Sequence, residues 1–556
     1  MKNIFTMALC LSIITLFISC DDKTTVSTDS NFDLVILNGR VMDPETNFDA
    51  IRNVGVIDGI ISIITEKEIK GKETIDATGH VVTAGFIDGH FHALDGLSVK
   101  MAARDGVTTG MDLEIGSTNI AAWYDGKKDV WPLNYGTGVS HEGTRIQIHD
   151  PEVDMTQWAD APMLLGNLRA EACKDGVCGW QDTRSDLEHL NQLLAKWDQG
   201  FKEGALNFSS TVGYMVKGVS TYEMFKAQEL AGKYGRATAA HVRFHGSPIN
   251  PEASLGSSEI LANALVLKAP LTILHDNDYG WWENEEKLKI ARANGHNVWS
   301  EYYPYDAAST SISSTFLQPN YFLKTFGFKY EETIYDPVAD TFLNQEAFVK
   351  TVKEHPERLV VIFSPNRKKW LPNWLKIPHM VVASDAIYSG RGYDSFEVPY
   401  SEYQGHPRTG GTHGKTFRIA REAGVPLMFT LSQMSYWPAL HLGDTGLEAM
   451  KVRGRMQTGM VADITIFDPE TVADNSTYKI GEQGLPSSGI PYVIVNGTLV
   501  VKNSKFQKIF AGQPIRFPVQ ETGKYEPIIV DEWIQQFATP VLPVDGCGAS
   551  SEHHHH

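Results

Sequence analysis

The sequence predicts an α/β protein: a (β/α)8 barrel with a small β-sandwich domain built from both chain ends. Three observations lead there. Short apolar runs without alternation, such as Leu271-Thr-Ile-Leu274, Leu359-Val-Val-Ile-Phe363 and Met380-Val-Val-Ala383, have the texture of strands buried on both faces of a parallel sheet. Helical stretches separate several of them, as at Thr221 to Tyr234, with Thr221 as cap, Glu223 in the first turn and Gly235 past the end, and at Glu259 to Lys268. Strand-rich pieces occupy the two ends: Asp33-Leu-Val-Ile-Leu37 and Val54-Gly-Val-Ile57 are broken by the turn dipeptides Asn38-Gly39, Asp43-Pro44 and Asp58-Gly59. The same texture returns in Asp463-Ile-Thr-Ile-Phe467 and in Tyr492-Val-Ile-Val495, which leads into Asn496-Gly497.

In chain order, residues 1–19 read as a leader and 20–32 as a tether. The first part of the sandwich spans 33–83. The barrel spans 84–445, with the charge- and aromatic-rich stretch 318–358 as an insertion capping its mouth. Residues 446–520 complete the sandwich, 521–550 form an extension, and 551–556 hold the remains of a tag. The leader places Lys2 before an apolar run from Ile4 to Ile18, shorter than the ~20 residues a membrane span needs. It ends in Phe17-Ile18-Ser19-Cys20, followed by Asp21-Asp22, and looks like a bacterial lipoprotein signal. Cleavage before Cys20 and acylation of its thiol would leave an exported protein in the cell envelope, touching the membrane only through its lipid; an ordinary signal peptide with Cys20 incidental is the alternative. Cys173 and Cys178 are close enough for a local disulfide, leaving Cys547 unpaired.

Composition removes several classes. At roughly 150 residues per domain, 556 residues would make about four domains, but α/β barrels routinely exceed ~250 residues as one unit. With 42% hydrophobic and 10% aromatic residues the chain is too apolar for disorder. The 67 acidic against 49 basic residues give a net charge of −18, the wrong sign for a nucleic-acid partner. No Gly-x-Gly-x-x-Gly turn or phosphate loop supports a nucleotide cofactor.

The chemistry lies in residues that follow the apolar runs. Val81-Val-Thr-Ala-Gly-Phe-Ile-Asp-Gly leads into His90-Phe91-His92, whose imidazoles share one side of an extended strand and can hold one cation. Glu114 ends Thr108-Thr-Gly-Met-Asp-Leu, His241 ends Ala237-Thr-Ala-Ala, His275 ends Leu271-Thr-Ile-Leu, and Asp385 ends Val381-Val-Ala-Ser. In a parallel barrel the C-terminal strand ends converge on the catalytic face. Nitrogen and oxygen donors without thiolate suit Zn²⁺, with Mn²⁺, Co²⁺ or Fe²⁺ possible by donor type.

These residues and their order resemble the D-aminoacylase (N-acyl-D-amino-acid deacylase) group of the amidohydrolase superfamily. The resemblance spans nearly the whole mature chain: the opening from Asp33 to Asn38, Gly85-Phe-Ile-Asp-Gly-His-Phe-His92, Gly106-Val-Thr-Thr109, Tyr303-Pro-Tyr305 with Ser309-Thr310, Ser384-Asp385, His406-Pro-Arg408, and Gly459 to Pro469. It implies a TIM-like barrel with a β-sandwich from both ends. It also implies one or two Zn²⁺ ions, the first held by His90, His92 and Asp385, the second by His241 and His275. Glu114 departs from the group's pattern, which has a bridging Cys at about this point. Lys217 departs too, standing where Pro is usual, and is an outside candidate for a carbamylated bridge.

The activity implied is hydrolysis of the amide bond of an N-acyl-amino acid, of the D series by the group's habit. Asp385 would carry the proton from water to the leaving nitrogen. Arg408, Tyr303 and Ser309 would bind the carboxylate of a small-molecule substrate, and Tyr214 and His141 would line the pocket. The same site on a cyclic amide, an isoaspartyl-type dipeptide or a lactone is the alternative.

Overall fold

The computed structural model describes residues 27–28, 30–155, 167–176, 178–245, 253–324 and 327–537. The leader, Cys20, most of the tether, Cys547 and the terminal histidines lie outside these residues. Eight parallel strands form the barrel: β1 Phe86–Asp88, β2 Val107–Ser117, β3 Asn134–Ser140, β4 Asn207–Ser210, β5 Ala237–Ala240, β6 Leu271–Ile273, β7 Val298–Tyr302 and β8 Met380–Val382. Each pairs with its neighbour in chain order, as strand–helix repetition requires. The first and last strands meet through their continuations, where Phe91 and His92 pair in parallel with Ala386 and Ile387. The Ser384 amide also donates to Asp88 across this seam (3.2 Å).

The chain ends form one nine-stranded sheet. Its junction is the antiparallel pairing of Val81–Ala84 with Ile464–Phe467, which sets Ala84 opposite Ile464 and Val81 opposite Phe467. Alternate residues Leu34, Ile36, Val54, Val56, Val82, Ala84, Ile464 and Ile466 share one core. At Asp58-Gly59 and Asn496-Gly497 both residues have positive φ, which fits tight hairpin turns whose twist matches the flanking strands. Asn38-Gly39 is not a turn. One strand, Phe32–Asp43, runs through it, and the positive φ of Asn38 sits at a register shift between Ile36 and Gly39.

Two local expectations change. The helix predicted from Thr221 spans Thr221–Lys233, but its cap is Ser220, whose hydroxyl accepts from the Glu223 amide at 3.0 Å. The helix expected at Glu259 to Lys268 is the second half of Ala253–Leu267.

The run Leu359–Phe363 is not a barrel strand. It lies in a four-stranded antiparallel sheet with Ala307–Ser311, Ile334–Asp336 and Thr341–Phe342. This sheet, with helices such as Gln345–Glu354, is inserted between β7 and β8, so the insertion is longer than the expected 318–358. It has its own core of Ile312, Leu317, Phe322, Tyr330, Ile334, Leu343, Phe348 and Val360. Cys173 and Cys178 are disulfide-bonded. Among the described residues no helix is long and apolar enough to cross a membrane.

Candidate metal centre

The C-terminal ends of β1, β2, β5, β6 and β8 deliver His90 and His92, Glu114, His241, His275 and Asp385 to one place. Two groups result: His90, His92, Glu114 and Asp385, and Glu114, His241 and His275, each with its donor atoms within 4.8 Å of one another. Glu114 belongs to both. Its Oε2 lies 2.9 Å from His90 Nε2 and 3.0 Å from His92 Nε2, and its Oε1 lies 3.3 Å from both His241 Nδ1 and His275 Nε2. A carboxylate with each oxygen on a different histidine pair has the layout of a bridging ligand.

Two further carboxylates orient the first pair. Glu301 on β7 contacts His90 Nδ1, and Asp112 on β2 lies 3.2 Å from His92 Nδ1, so both imidazoles turn Nε2 toward Glu114. Fixing the far nitrogen of a ligating imidazole in this way is the usual support of a metal site. Electrostatics agree. Burial opposes protonation of His90, but Asp385, Glu301 and Glu114 raise its pKa well above normal. Likewise burial works against His92, yet Asp112 and Glu114 raise it to about 9. Burial would raise Glu114, but the His90 charge and the bonds from His241 and His275 hold it well below the carboxylate range. Burial lowers His241 and His275, leaving neutral imidazoles ready to donate a lone pair. A buried set of oxygen and nitrogen donors that draws positive charge inward fits a divalent cation.

The backbone is bent to make this set. His275 has φ of 33° and Asp385 of 49°, both left-handed values that side chains other than glycine rarely adopt. Such strain persists where the surroundings over-determine it, and here it coincides with candidate ligands. Gly213, after β4, packs directly against His241. A Cβ there would lie 2.3 Å from His241 Cδ2 and 2.6 Å from the Val242 carbonyl. Gly213→Ala is therefore expected to displace His241 and lower metal occupancy at the His241–His275 group, leaving the His90–His92 group loaded. Metal content per chain, measured beside the wild type, checks it.

Arg408 opens the helix Arg408–Glu422 and closes on Asp385. Its Nη2 stands 2.8 Å from Asp385 Oδ1, and its Nε donates to the Asp385 carbonyl at 2.6 Å. Its buried Nη1 has no hydrogen-bond partner among the described residues. The guanidinium lies 4.9 Å from the centre of the Tyr303 ring. Ser309, on the inserted sheet, lines the same cavity with a buried hydroxyl that likewise lacks a partner among the described residues. Tyr214 lines it as well, its hydroxyl 3.0 Å from Thr310 Oγ1 and its ring 4.0 Å from the Arg169 guanidinium. The insertion supplies the far wall with Phe316, Leu317, Phe322, Leu359, Ile362 and Phe363.

Two expected residues are elsewhere. His141 is fully buried outside the cavity lining, between Ser210 Oγ and Glu223 Oε1 at 2.9 Å each. Its place is structural, because β3 ends one residue earlier and the following helix turns the ring toward β4. Lys217 is 70% exposed and pairs with Asp182 at 3.5 Å, away from both donor groups. The network around His141 makes its own prediction. Burial would raise the Glu223 pKa, but the His141 bond and the Arg145 charge lower it to about 2 from 4.5. A depressed carboxyl stabilises the fold above its unfolded pKa and loses that contribution as pH falls through the folded value. About 3 kcal/mol should thus be lost between pH ~4.5 and ~2, and Glu223→Gln should flatten that part of the stability–pH curve in urea unfolding.

Several residues around the centre were not singled out from the sequence: Glu301, Asp112, Asp278 and Arg367 carry no local signal there, while His245 could have been found by its spacing of four from His241.

No family model matches the chain. Two curated relatives match nearly end to end, both from Alcaligenes xylosoxydans xylosoxydans. D-aminoacylase is 24% identical over 88% of this chain and 98% of its own length. N-acyl-D-glutamate deacylase is 24% identical over 84% of this chain and 93% of its own. Among solved structures, N-acyl-D-glutamate deacylase from Bordetella bronchiseptica, in complex with zinc and a phosphonate inhibitor, has a TM-score of 0.68 at 19% identity and covers 88% of this chain and 100% of that one. At that identity the match shows the fold. In sequence over most of its length, and in fold, this chain is similar to the D-aminoacylases of the amidohydrolase superfamily.

Proposed function

We propose that the protein is a metal-dependent hydrolase that cleaves the amide bond of N-acyl-D-amino acids, releasing a carboxylate and a free amino acid. The observation that carries this reading is Glu114, shared between two histidine pairs and facing the Asp385–Arg408 pair in one cavity. The names of the end-to-end relatives support an amide bond outside ordinary peptides and the D series, and the zinc in the Bordetella relative supports Zn²⁺.

His90, His92 and Asp385 would hold one ion, His241 and His275 a second, with Glu114 between them. A divalent ion in such a site supplies Lewis-acid activation of the carbonyl and of water. The chain's own groups do the rest. Asp385 takes the proton of the attacking water and delivers it to the leaving nitrogen, without which the C–N bond does not break. Arg408 fixes that carboxylate and turns its unpartnered Nη1 to the substrate, where Tyr303 and Ser309 add neutral donors. Burial raises the Tyr303 pKa, so the phenol donates rather than repels. The apolar wall of the insertion receives the hydrophobic part of the substrate. With a net charge of −18 the bulk field disfavours an anionic substrate, so its attraction must be local, at the ions and Arg408. The leader motif at Cys20 supports a lipid-anchored enzyme of the cell envelope.

The test is hydrolysis of matched N-acyl-D- and N-acyl-L-amino acids beside hydantoins and isoaspartyl dipeptides. A preference for the D series of at least about tenfold, a barrier difference of about 1.4 kcal/mol, is the expected result. Turnover of the cyclic amides or dipeptides alone would replace this reading.

A further inference from the structure

Arg367 is the second buried guanidinium of the cavity and comes from the insertion, on the helix Pro365–Trp374. It is 3% exposed. Its Nε donates to Asp278 Oδ1 at 2.6 Å, its Nη2 to the other oxygen of that carboxylate, and its Nη1 to the Tyr303 hydroxyl at 2.6 Å. Asp278 lies shortly after β6 and also meets His245 Nε2 at 2.8 Å. One side chain thus ties the insertion to the barrel and occupies a lone pair of Tyr303.

The consequence is directional. A phenol that accepts from an N–H keeps its own hydrogen to give. Among the described residues the Tyr303 hydroxyl donates to no acceptor, and Tyr303, Ser309 and Arg408 all line the same cavity. We propose that Arg367 is a positioning residue for substrate recognition: it aims the Tyr303 O–H at the substrate carboxylate and locks the insertion over the site through Asp278. The proposal rests on the carboxylate reading of Tyr303 given above.

Four variants of the metal-loaded enzyme test it: Tyr303→Phe, Arg367→Met, Arg367→Lys and the double Tyr303→Phe/Arg367→Met. KM and kcat are read on an N-acyl-D-amino acid and on its carboxamide, with thermal midpoints alongside. Tyr303→Phe and Arg367→Met should each raise KM for the acid roughly tenfold, the scale of one lost hydrogen bond to a charged group. They should raise KM for the carboxamide far less, and the double variant should be no worse than either single. Arg367→Lys, which keeps a cation for Asp278 but not the fork, should recover the midpoint more than the KM. An unchanged KM in Tyr303→Phe overturns the carboxylate reading and the proposal with it. A raised KM in Tyr303→Phe, with Arg367→Met and Arg367→Lys lowering only the midpoint or affecting acid and carboxamide equally, overturns the Arg367 proposal alone.

Discussion

Asp385→Asn is expected to lower kcat by about 10²- to 10⁴-fold while leaving bound metal near the wild-type amount. The substitution keeps what the structure asks of Asp385 as a fixed group. An amide oxygen still accepts from Arg408 Nη2, now 2.8 Å from Oδ1, and still faces His90 Nε2, now 3.4 Å from Oδ1. The backbone carbonyl still accepts from Arg408 Nε. What disappears is the capacity to take a proton from water and return it to nitrogen. Metal content by elemental analysis, paired with steady-state kinetics, separates the two roles. Retained turnover would remove Asp385 as the proton carrier, and metal loss in step with activity would make it a ligand only.

Glu114→Ala should weaken metal binding by more than about 100-fold, beyond the usual cost of losing an outer partner of a ligand, and should abolish turnover with it. Glu114 is the only residue common to both donor groups among the described residues. Its removal leaves His90, His92, His241 and His275 without the acceptor that each now faces within 3.3 Å. A chelator-competition titration reads the change directly. Near-normal affinity in Glu114→Ala would show the two histidine pairs to be independent.

The sequence already carried the outline because its signals are local. Turn dipeptides at Asp58-Gly59 and Asn496-Gly497 need positive φ, and both have it. Leu271 and Met380 begin apolar runs that are barrel strands, as their texture suggests. Leu359–Phe363 has the same texture and a different partner, because pairing with Ala307–Ser311 is decided by the whole insertion rather than by the run. At the site, alternation puts His90 and His92 on one side of a strand, and they gain weight as ligands only beside Glu114, His241, His275 and Asp385 at other strand ends. Glu301, Asp112 and Arg367 acquire meaning only through what they touch after folding. His141 shows the converse: a histidine in a suggestive motif is used up by Ser210 and Glu223. Lys217 fails as a bridge because its segment leaves it in solvent.

If this constellation is a metal site that hydrolyses an amide, activity must follow the metal. The most direct measurement strips the purified protein with a chelator and titrates Zn²⁺ back while following hydrolysis of an N-acyl-D-amino acid. Activity is expected to fall with the metal and to return at a stoichiometry of one or two ions per chain, and Glu114→Ala is not expected to recover. Full activity in the metal-free protein, or metal binding with no hydrolysis of any amide offered, would contradict it.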